Sequence, residues 1–391
     1  MCWIKKVFTN CKEVGMKILY IGNEDMRKVG GGKTHFFEVA LNLRKIGHQV
    51  TVILPGYHPR ENLGYDLHII QIPTFKKNVF SYLLYEFFKM FYVIWYLAFK
   101  GYKVVYVRSA LLDFMPSILT RLLMKRLYTE RNGIAEYENK AHGYSLLYIK
   151  VMKLSVLIST KLSHGIVCVS EGVRDYYHSE FKVPLNRLHL VSNGANVERF
   201  KPLESHRKVY KLPDDAFIVG FIGTFVKWQS LDILVQAALE LKEDVIFVLV
   251  GDGPLYPTIK KMVETYDLED KFYFIGPVEN SQVPKYISCF DLCYLCKKNL
   301  EGGFSPLKMF EYMASGKAII ANDVVGIKEY LDLYKCGLLF NGESADLAQK
   351  IKDASSSKDA IMVMGANGRR AAVEYHSWYA VSEKVSEIIS Q

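Results

Sequence analysis

The chain reads as an α/β protein built on two doubly wound parallel sheets, and three observations predict it. Strand and helix patterns alternate along its length, the alternation restarts after a polar, turn-rich segment, and 391 residues suit two domains of roughly 180 each better than one core. KILYIG, a glycine-rich stretch, THFFEVALNLRKIG and QVTVILP make an opening βαβ unit, which requires parallel strands with helices on both faces. KVVYVR, RLYTE and GIVCVS are the next buried strands. A second series begins at AFIVGFIG and continues through VIFVLVG, KFYFIG, LCYLC, KAIIA and GLLF. The stretch LVSNGANVERFKPLESHRKVYKLPDD between the two series is the expected hinge. Boundaries follow: an N-terminal extension over 1–15, a first domain over 16–197, a second over 198–375 and a closing segment over 376–391. Open parallel sheets bind ligands beyond the carboxyl ends of their strands, so the cleft between facing domains is the expected site.

Half of the residues are hydrophobic, enough to fill both cores, and the net charge of +9 points to anionic partners. Lysines and arginines are interleaved with Tyr and Phe instead of forming long runs, which fits a membrane surface or a phosphorylated substrate and not a nucleic-acid groove. Seven scattered cysteines, an odd number, argue for a reducing, cytoplasmic compartment. Cys289, Cys293 and Cys296 look like part of a metal cluster, but a fourth ligand is missing and no metal is expected. The first fifteen residues have no sustained apolar core, so no secretory signal is read there. The most apolar stretch, Val79 to Val107, is interrupted by Glu86, Lys89 and Lys100 and is too broken for a membrane span. It has two readings, a buried core helix leading into a strand or a helix lying on a bilayer. Few basic residues mark a polar face, which favours the core.

The stretch from Phe304 to Ala321, FSPLKMFEYMASGKAIIA, carries the most chemical information. Ser305 suits an N-cap, Pro306 the first helical position and Gly316 the C-terminal cap, predicting a helix of about ten residues. Leu307, Phe310 and Ala314 should face the core, leaving Lys308 and Glu311 together on the other face. The helix start near Ser305 with Lys308 beside it makes an anion site, unless the two charges simply form a surface ion pair.

Gly30 to His35, GGGKTH, invites a phosphate-loop reading, but the required earlier glycine falls at Arg27. What survives is a pair of glycines, Gly31 and Gly32, that let the backbone approach a ligand at a helix start. Gly251 and Gly253 in VGDGP similarly follow a strand, where a plain turn is the alternative. His35, His142 and His164 stand in no metal or triad spacing, so each singly reads as structural or exposed. Glu130 lies just past a buried strand at the cleft edge, where a carboxylate is costly unless used or paired.

Taken together, these stretches resemble glycosyltransferase family 4, the retaining nucleotide-sugar transferases of the GT-B fold, whose two Rossmann-like domains face across a cleft. GGGKTHFFEVALNLRKIGHQVTVILPG resembles the family's opening loop, helix and strand; VCVSEGVRDYY, VSNGANVERFKP, VGFIGTFVKWQSLDILVQAALEL, LVGDGPLYPTIKKMVE and SPLKMFEYMASGKAIIA follow in the family's order. YHSWYAVSEKV resembles the segment that carries the last helix, within 376–391, back to the first domain. The resemblance implies that Glu311 is the second glutamate of the E-x-x-x-x-x-x-x-E motif and holds the donor ribose. The first glutamate falls at Gly303, leaving Glu301 as the residue for the sugar. The family's diphosphate-binding Arg and Lys fall at Thr224, after Gly223, and at Gln229, so Lys227 and Lys308 are assigned to the diphosphate. Asn132 stands where many relatives carry histidine, and it or Glu130 takes that contact. Ser305, Pro306, Leu307, Gly31, Gly32, Gly251 and Gly253 complete the expected donor site. The implied activity is transfer of a sugar, without a metal cofactor and with retention, from a nucleoside-diphosphate sugar to a glycan or lipid-linked acceptor. It is expected in the cytoplasm, at a membrane face. A non-catalytic nucleotide-sugar-binding partner protein and a nucleotide-sugar epimerase are the alternatives.

Overall fold

A computed structural model describes residues 15–23, 30–56, 66–73, 79–108, 114–134, 136–137, 145–241, 244–298 and 305–391, with residues 79–83 as backbone only. Most of the extension, His142, Gly303 and Glu301 lie outside the described residues. The first domain runs β1 (Lys17–Ile21), α1 (Gly31–Ile46), β2 (Gln49–Gly56), β3 (His68–Pro73), α2 (Val79–Phe99), β4 (Val104–Arg108) and α3 (Phe114–Leu122). It continues through β5 (Arg126–Arg131), α4 (Leu146–Leu162), β6 (Gly165–Cys168), α5 (Glu171–Phe181) and β7 (Leu188–Leu190). Its seven strands lie in the order β3-β2-β1-β4-β5-β6-β7, all parallel, with Ile18 of β1 between Val50 of β2 and Val104 of β4. This is the doubly wound order, in which the chain reverses direction beside β1 and opens a crevice there.

The second domain repeats the plan with β8 (Phe217–Ile222), α6 (Leu231–Ala238), β9 (Val245–Val250), α7 (Tyr256–Thr265), β10 (Phe272–Gly276), α8 (Val283–Ser288) and β11 (Leu292–Leu295). It ends with α9 (Leu307–Ala314), β12 (Ala318–Asn322), α10 (Lys328–Tyr334), β13 (Gly337–Phe340), α11 (Ser344–Ser355) and α12 (Lys358–Tyr375). The six strands are ordered β10-β9-β8-β11-β12-β13 and are again parallel. Both sheets are buried on both faces, which is why their strands read as continuous apolar runs and not as alternations. In β11, Leu292 and Tyr294 enter one core layer while Cys293 and Leu295 enter the other. Cys293 and Cys296 therefore lie on opposite sides of the sheet and cannot share a metal ion.

Two chain segments cross between the domains. Ala195 N donates to His376 O at 2.8 Å and Trp378 N to Ala195 O at 3.1 Å, so the descending and returning segments bond to each other at the hinge. The last helix, α13 (Trp378–Ser390), then lies on α1 of the first domain, burying Trp378, Val381, Val385 and Ile389 in the core beneath it.

Helix α2 departs from the core-helix expectation. Tyr85, Val93 and Leu97 are buried, but so are Glu86 and Lys89, 1 % and 0 % exposed, which pair at 2.6 Å. The charges that interrupt the run in the sequence turn inward, and aromatic side chains turn outward.

Helix α12 fixes the second domain's site helix from behind: Arg369 Nη1 donates to Val197 O, Phe200 O and Ala314 O at 3.0, 2.9 and 2.8 Å. One guanidinium so joins the hinge to the end of α9. Arg369→Met keeps the stem and strips three carbonyls of a charged donor, and is expected to lower stability by about 1–3 kcal/mol. The urea midpoint reads this directly; an unchanged midpoint would show that water replaces the guanidinium without cost.

Candidate functional site

The carboxyl ends of the two sheets face each other, and each contributes one half of a polar site. In the second domain the central element is α9. Met309, Phe310, Tyr312, Met313 and Ala314 are buried against the sheet, and Tyr312 Oη accepts from Ile222 N at 3.1 Å, tying the helix to the end of β8. The helix is shorter than predicted. Pro306 occupies the N-cap position, and Ser305 is no cap: its Oγ accepts from Asn193 N at 2.9 Å. Ser315 closes the helix and Gly316 follows with φ of 71°. Leu307, expected in the core, is only partly buried and reaches the first domain, where a Cβ on Gly31 would lie 2.7 Å from it. Gly31 and Gly32 open α1 as its first helical residues, so the expected loop glycines are a helix start that touches the other domain.

Lys308 forms no surface ion pair. Its Nζ stands 4.3 Å from the centroid of the Phe221 ring and fills the space over Gly223, where a Cβ would lie 1.9 Å away. Gln229 lies beside it, and its amide oxygen belongs toward Lys308 Nζ at 3.2 Å and Lys297 Nζ at 3.1 Å, because its nitrogen there would face two donors. Two ammonium groups thus converge on one carbonyl at the mouth of β8 and β11. Burial lowers Lys297 to about 8, and burial with the neighbouring Lys297 charge drives Lys308 well below its ordinary value, against the opposing pull of Glu311. Burial also lifts Glu311 to about 7, against Arg199 and Lys308. Such a cluster is held uncomfortably without an anion and comfortably with one.

Glycines shape the floor. Gly223 N donates to Val250 O at 2.9 Å and Gly251 N to Gly276 O at 2.8 Å, and a Cβ on Gly251 would sit 2.0 Å from Gly223 O. Gly253 packs against Phe225 N in the turn that follows. Thr224 and Lys227 are exposed, and the short 3-10 turn at Lys227–Gln229 buries Gln229 in place of the lysine. Of the two lysines expected at the diphosphate, the structure places Lys308 beside Gly223 and leaves Lys227 exposed, and it brings Lys297 and Gln229, neither expected there as a ligand group, to the same point as Lys308. Lys297 was legible in principle, as the first polar residue after the buried run LCYLC.

The first domain's half is built on Glu130, at the end of β5 and 1 % exposed. Its Oε1 pairs with His35 Nε2 at 2.8 Å and Arg108 Nε at 3.4 Å, and Oε2 accepts from Tyr106 Oη at 2.7 Å. Oε2 is hydrogen-bonded and Oε1 is held in ion pairs, so the Glu130 carboxylate, expected among the catalytic contacts, is engaged within the first domain. Burial pushes its pKa up, but the His35 charge and hydrogen bond, Arg108 and Tyr106 together bring it to about 2. His35, passed over in the sequence, is the hub. Asn193 Nδ2 donates to Ser305 O at 2.5 Å, which turns Asn193 Oδ1 to His35 Nδ1, also at 2.5 Å. An amide oxygen on one nitrogen and a carboxylate on the other require both to carry protons, so His35 is an imidazolium. Burial lowers its pKa, but the Glu130 charge and the hydrogen bonds to Glu130 and Asn193 raise it on balance. Trp378 closes the site edge-on at 5.0 Å. Asn132 Oδ1 and Tyr20 Oη are buried in the same region without a hydrogen-bond partner among the described residues.

Two facing parallel-sheet domains with a crossing C-terminal helix and polar groups at both strand ends define the GT-B class of glycosyltransferases. The comparisons agree. A profile described as Glycosyltransferase Family 4 matches residues 29–199, and one described as Glycosyl transferases group 1 matches 203–371. An uncharacterised glycosyltransferase of Methanocaldococcus jannaschii is 23% identical over 374 residues, 90% of this chain and 92% of the relative. A GDP-mannose-dependent alpha-(1-6)-phosphatidylinositol monomannoside mannosyltransferase of Mycobacterium tuberculosis is 25% identical over 233 residues, 56% of this chain and 60% of that enzyme. Among solved structures, Anabaena HepE in complex with UDP superposes with a TM-score of 0.78 at 18% identity, covering 96% of this chain and 100% of that one. The chain belongs to glycosyltransferase family 4 and is a glycosyltransferase of the GT-B type.

The His35–Glu130 pair makes stability depend on pH from two sides. The Glu130 share is present above its ordinary 4.5 and lost as pH falls toward about 2, while the His35 share is present below 6.5 and lost as pH rises through its raised value. Unfolding free energies of the native chain and Glu130→Gln should therefore differ most between pH 4.5 and 6.5. A difference independent of pH would mean that the pair is not ionised.

Proposed function

We propose that this enzyme transfers a sugar from a nucleoside-diphosphate sugar to a glycan or lipid-linked hydroxyl acceptor, with retention of anomeric configuration. The observation that carries the proposal is the convergence of Lys297 and Lys308 on Gln229, beside the backbone of Gly223 and the uncapped start of α9. Two ammoniums and a helix start in one pocket suit a diphosphate. Glu311 stands three residues beyond Lys308 on α9, where its carboxylate would accept from ribose hydroxyls. When the bond between the sugar and the diphosphate breaks, the electron pair goes to the departing oxygen, and fixed cations already aimed there lower the barrier. Lysines can supply this charge in place of a divalent ion, so transfer should persist in EDTA. Asn132 and Tyr20, with unused polar atoms at the ends of β5 and β1, would meet the sugar or the acceptor from the first domain. A lipid-linked acceptor is supported by the mycobacterial relative, whose name specifies a phosphatidylinositol mannoside and an α linkage. The anomeric form of the product, read by NMR against that of the donor, tests retention.

Two groups should set the pH range of donor binding. Glu311 must be ionised to accept from the ribose, and loses that form as pH falls through about 7; Lys297 must be protonated, and loses that form as pH rises through about 8. Nucleoside diphosphate affinity, titrated by calorimetry with UDP, GDP and ADP, is expected to peak between these values. Glu311→Gln should flatten the acidic limb, and Lys297→Met the alkaline one. Lys308→Met should lower affinity by roughly tenfold or more, the scale of a lost charge-assisted hydrogen bond. If no nucleoside diphosphate raises the thermal midpoint of the native chain, the donor assignment fails.

A further inference from the structure

We propose that the outer side of the α2–α3–α4 layer in the first domain is a docking surface for an anionic lipid bilayer. The three helices lie side by side over one face of the sheet, α3 in contact with both α2 and α4. On α2 the exposed aromatic residues are Phe87, Phe88, Phe91, Tyr92, Trp95 and Phe99, spread over about 18 Å of helix, with Ile94 exposed among them. Phe91 is 58% exposed and Phe99 69%. On α3 the row continues with Ile118 and Leu122, and on α4 with Leu146, Leu147, Val151 and Leu154. Exposed apolar side chains gathered on three adjoining helices mark a surface for interaction with a partner or a membrane.

Charge selects the occupant. The exposed charged residues of these helices are Arg121, Lys150, Lys153 and Lys161, with Lys100 and Lys103 just past α2 and the half-buried Lys125 past α3. The single acid among the three helices, Glu86, is buried against Lys89. Lys100 Nζ sits 5.5 Å from the Trp95 ring, at the border of the aromatic row, and Lys153 also reaches Glu136 at 3.1 Å and Glu180 at 3.6 Å. Protein interfaces are depleted in lysine around their apolar centres, whereas a bilayer surface takes aromatic and aliphatic side chains at the headgroup level and lysines against anionic lipid. No helix among the described residues is long and apolar enough to cross a membrane, so contact would lie along the surface. The burial of Glu86 and Lys89 works in the same direction, since it removes from the outer face the one carboxylate that the three helices carry; Glu136 and Glu180, from outside them, both lie against Lys153.

The test is co-sedimentation of the full chain with phosphatidylcholine vesicles, with and without phosphatidylglycerol. Binding is expected only with phosphatidylglycerol, weakening as salt rises. The Phe87→Ser/Phe91→Ser/Phe99→Ser variant should lower the partition coefficient by roughly tenfold or more. Lys100→Glu/Lys150→Glu should abolish the preference for phosphatidylglycerol. All substituted side chains are exposed, and an unchanged thermal shift with nucleotide would show that these variants keep the donor site, so the outcome is separable from the transferase reading. Absence of binding to anionic vesicles, or binding that the aromatic variant leaves unchanged, overturns the proposal. A dimer in solution that the same variant dissociates also overturns it, by showing that a second copy covers the face.

Discussion

The cleft is organised around one buried imidazolium. His35 is 4 % exposed, and each ring nitrogen meets an acceptor, Glu130 in the first domain and Asn193 at the hinge. Burying two opposite charges costs several kcal/mol per ion before their attraction is counted, so the pair is poor evidence for added stability. What it does supply is geometry. Glu130 is fixed by Tyr106 and Arg108, it fixes His35, and His35 fixes the amide of Asn193, whose nitrogens both bond to Ser305 immediately before α9. A carboxylate at the end of a strand in one domain thereby sets where the site helix of the other domain begins. Neutralising Glu130 would leave the buried His35 charge facing only an amide oxygen, and neutralising His35 would leave Glu130 with the Arg108 charge alone, so the chain of contacts is held as a unit.

The second domain's half follows the opposite logic. Its lysines are gathered around an amide and an aromatic face, with Glu311 on the same helix as Lys308 lifted to about 7 by burial. A pocket in which two cations converge on one amide oxygen gains when a ligand arrives with its own negative charge. Gln229 is central to this. A lysine at that position would add a third ammonium beside Lys297 and Lys308, whereas the amide accepts from both. Where the resemblance expects a lysine, this chain has an amide whose oxygen lies 3.1 Å from Lys297 on the neighbouring strand end.

The fold was legible because parallel sheets buried on both faces leave uninterrupted apolar runs, and because glycine and proline mark the turns between them. β3 and β7 escaped notice: HIIQIP and LHL lie at the sheet's edges, are short, and carry polar residues that break the run. The site was legible only where it lies within one element. Glu311 and Lys308 follow from the spacing of α9, but Lys297, Gln229 and Lys308 meet across three separate segments, and no local spacing announces that meeting. His35 and Asn193 are 158 residues apart, and the protonation of the histidine follows only from what faces it. Ser305 shows the same limit. Its sequence context is that of a helix cap, yet the stronger claim on its hydroxyl comes from a backbone N–H at the hinge.

Helix α2 shows why composition alone misleads about burial. Counted as a string, its aromatics argue for the core and its two charges for a surface, and the structure reverses both. The reversal is consistent with physics once the pair is considered: Glu86 and Lys89, three apart, share a face and neutralise each other at 2.6 Å, so an inward-facing pair leaves no net charge inside. With that face taken, helical spacing sends Phe87, Phe91 and Trp95 outward whatever their hydrophobicity. An aromatic row next to lysines is then a consequence of which residues sit at 86 and 89, and a charge placed at 91 would interrupt it without touching the core.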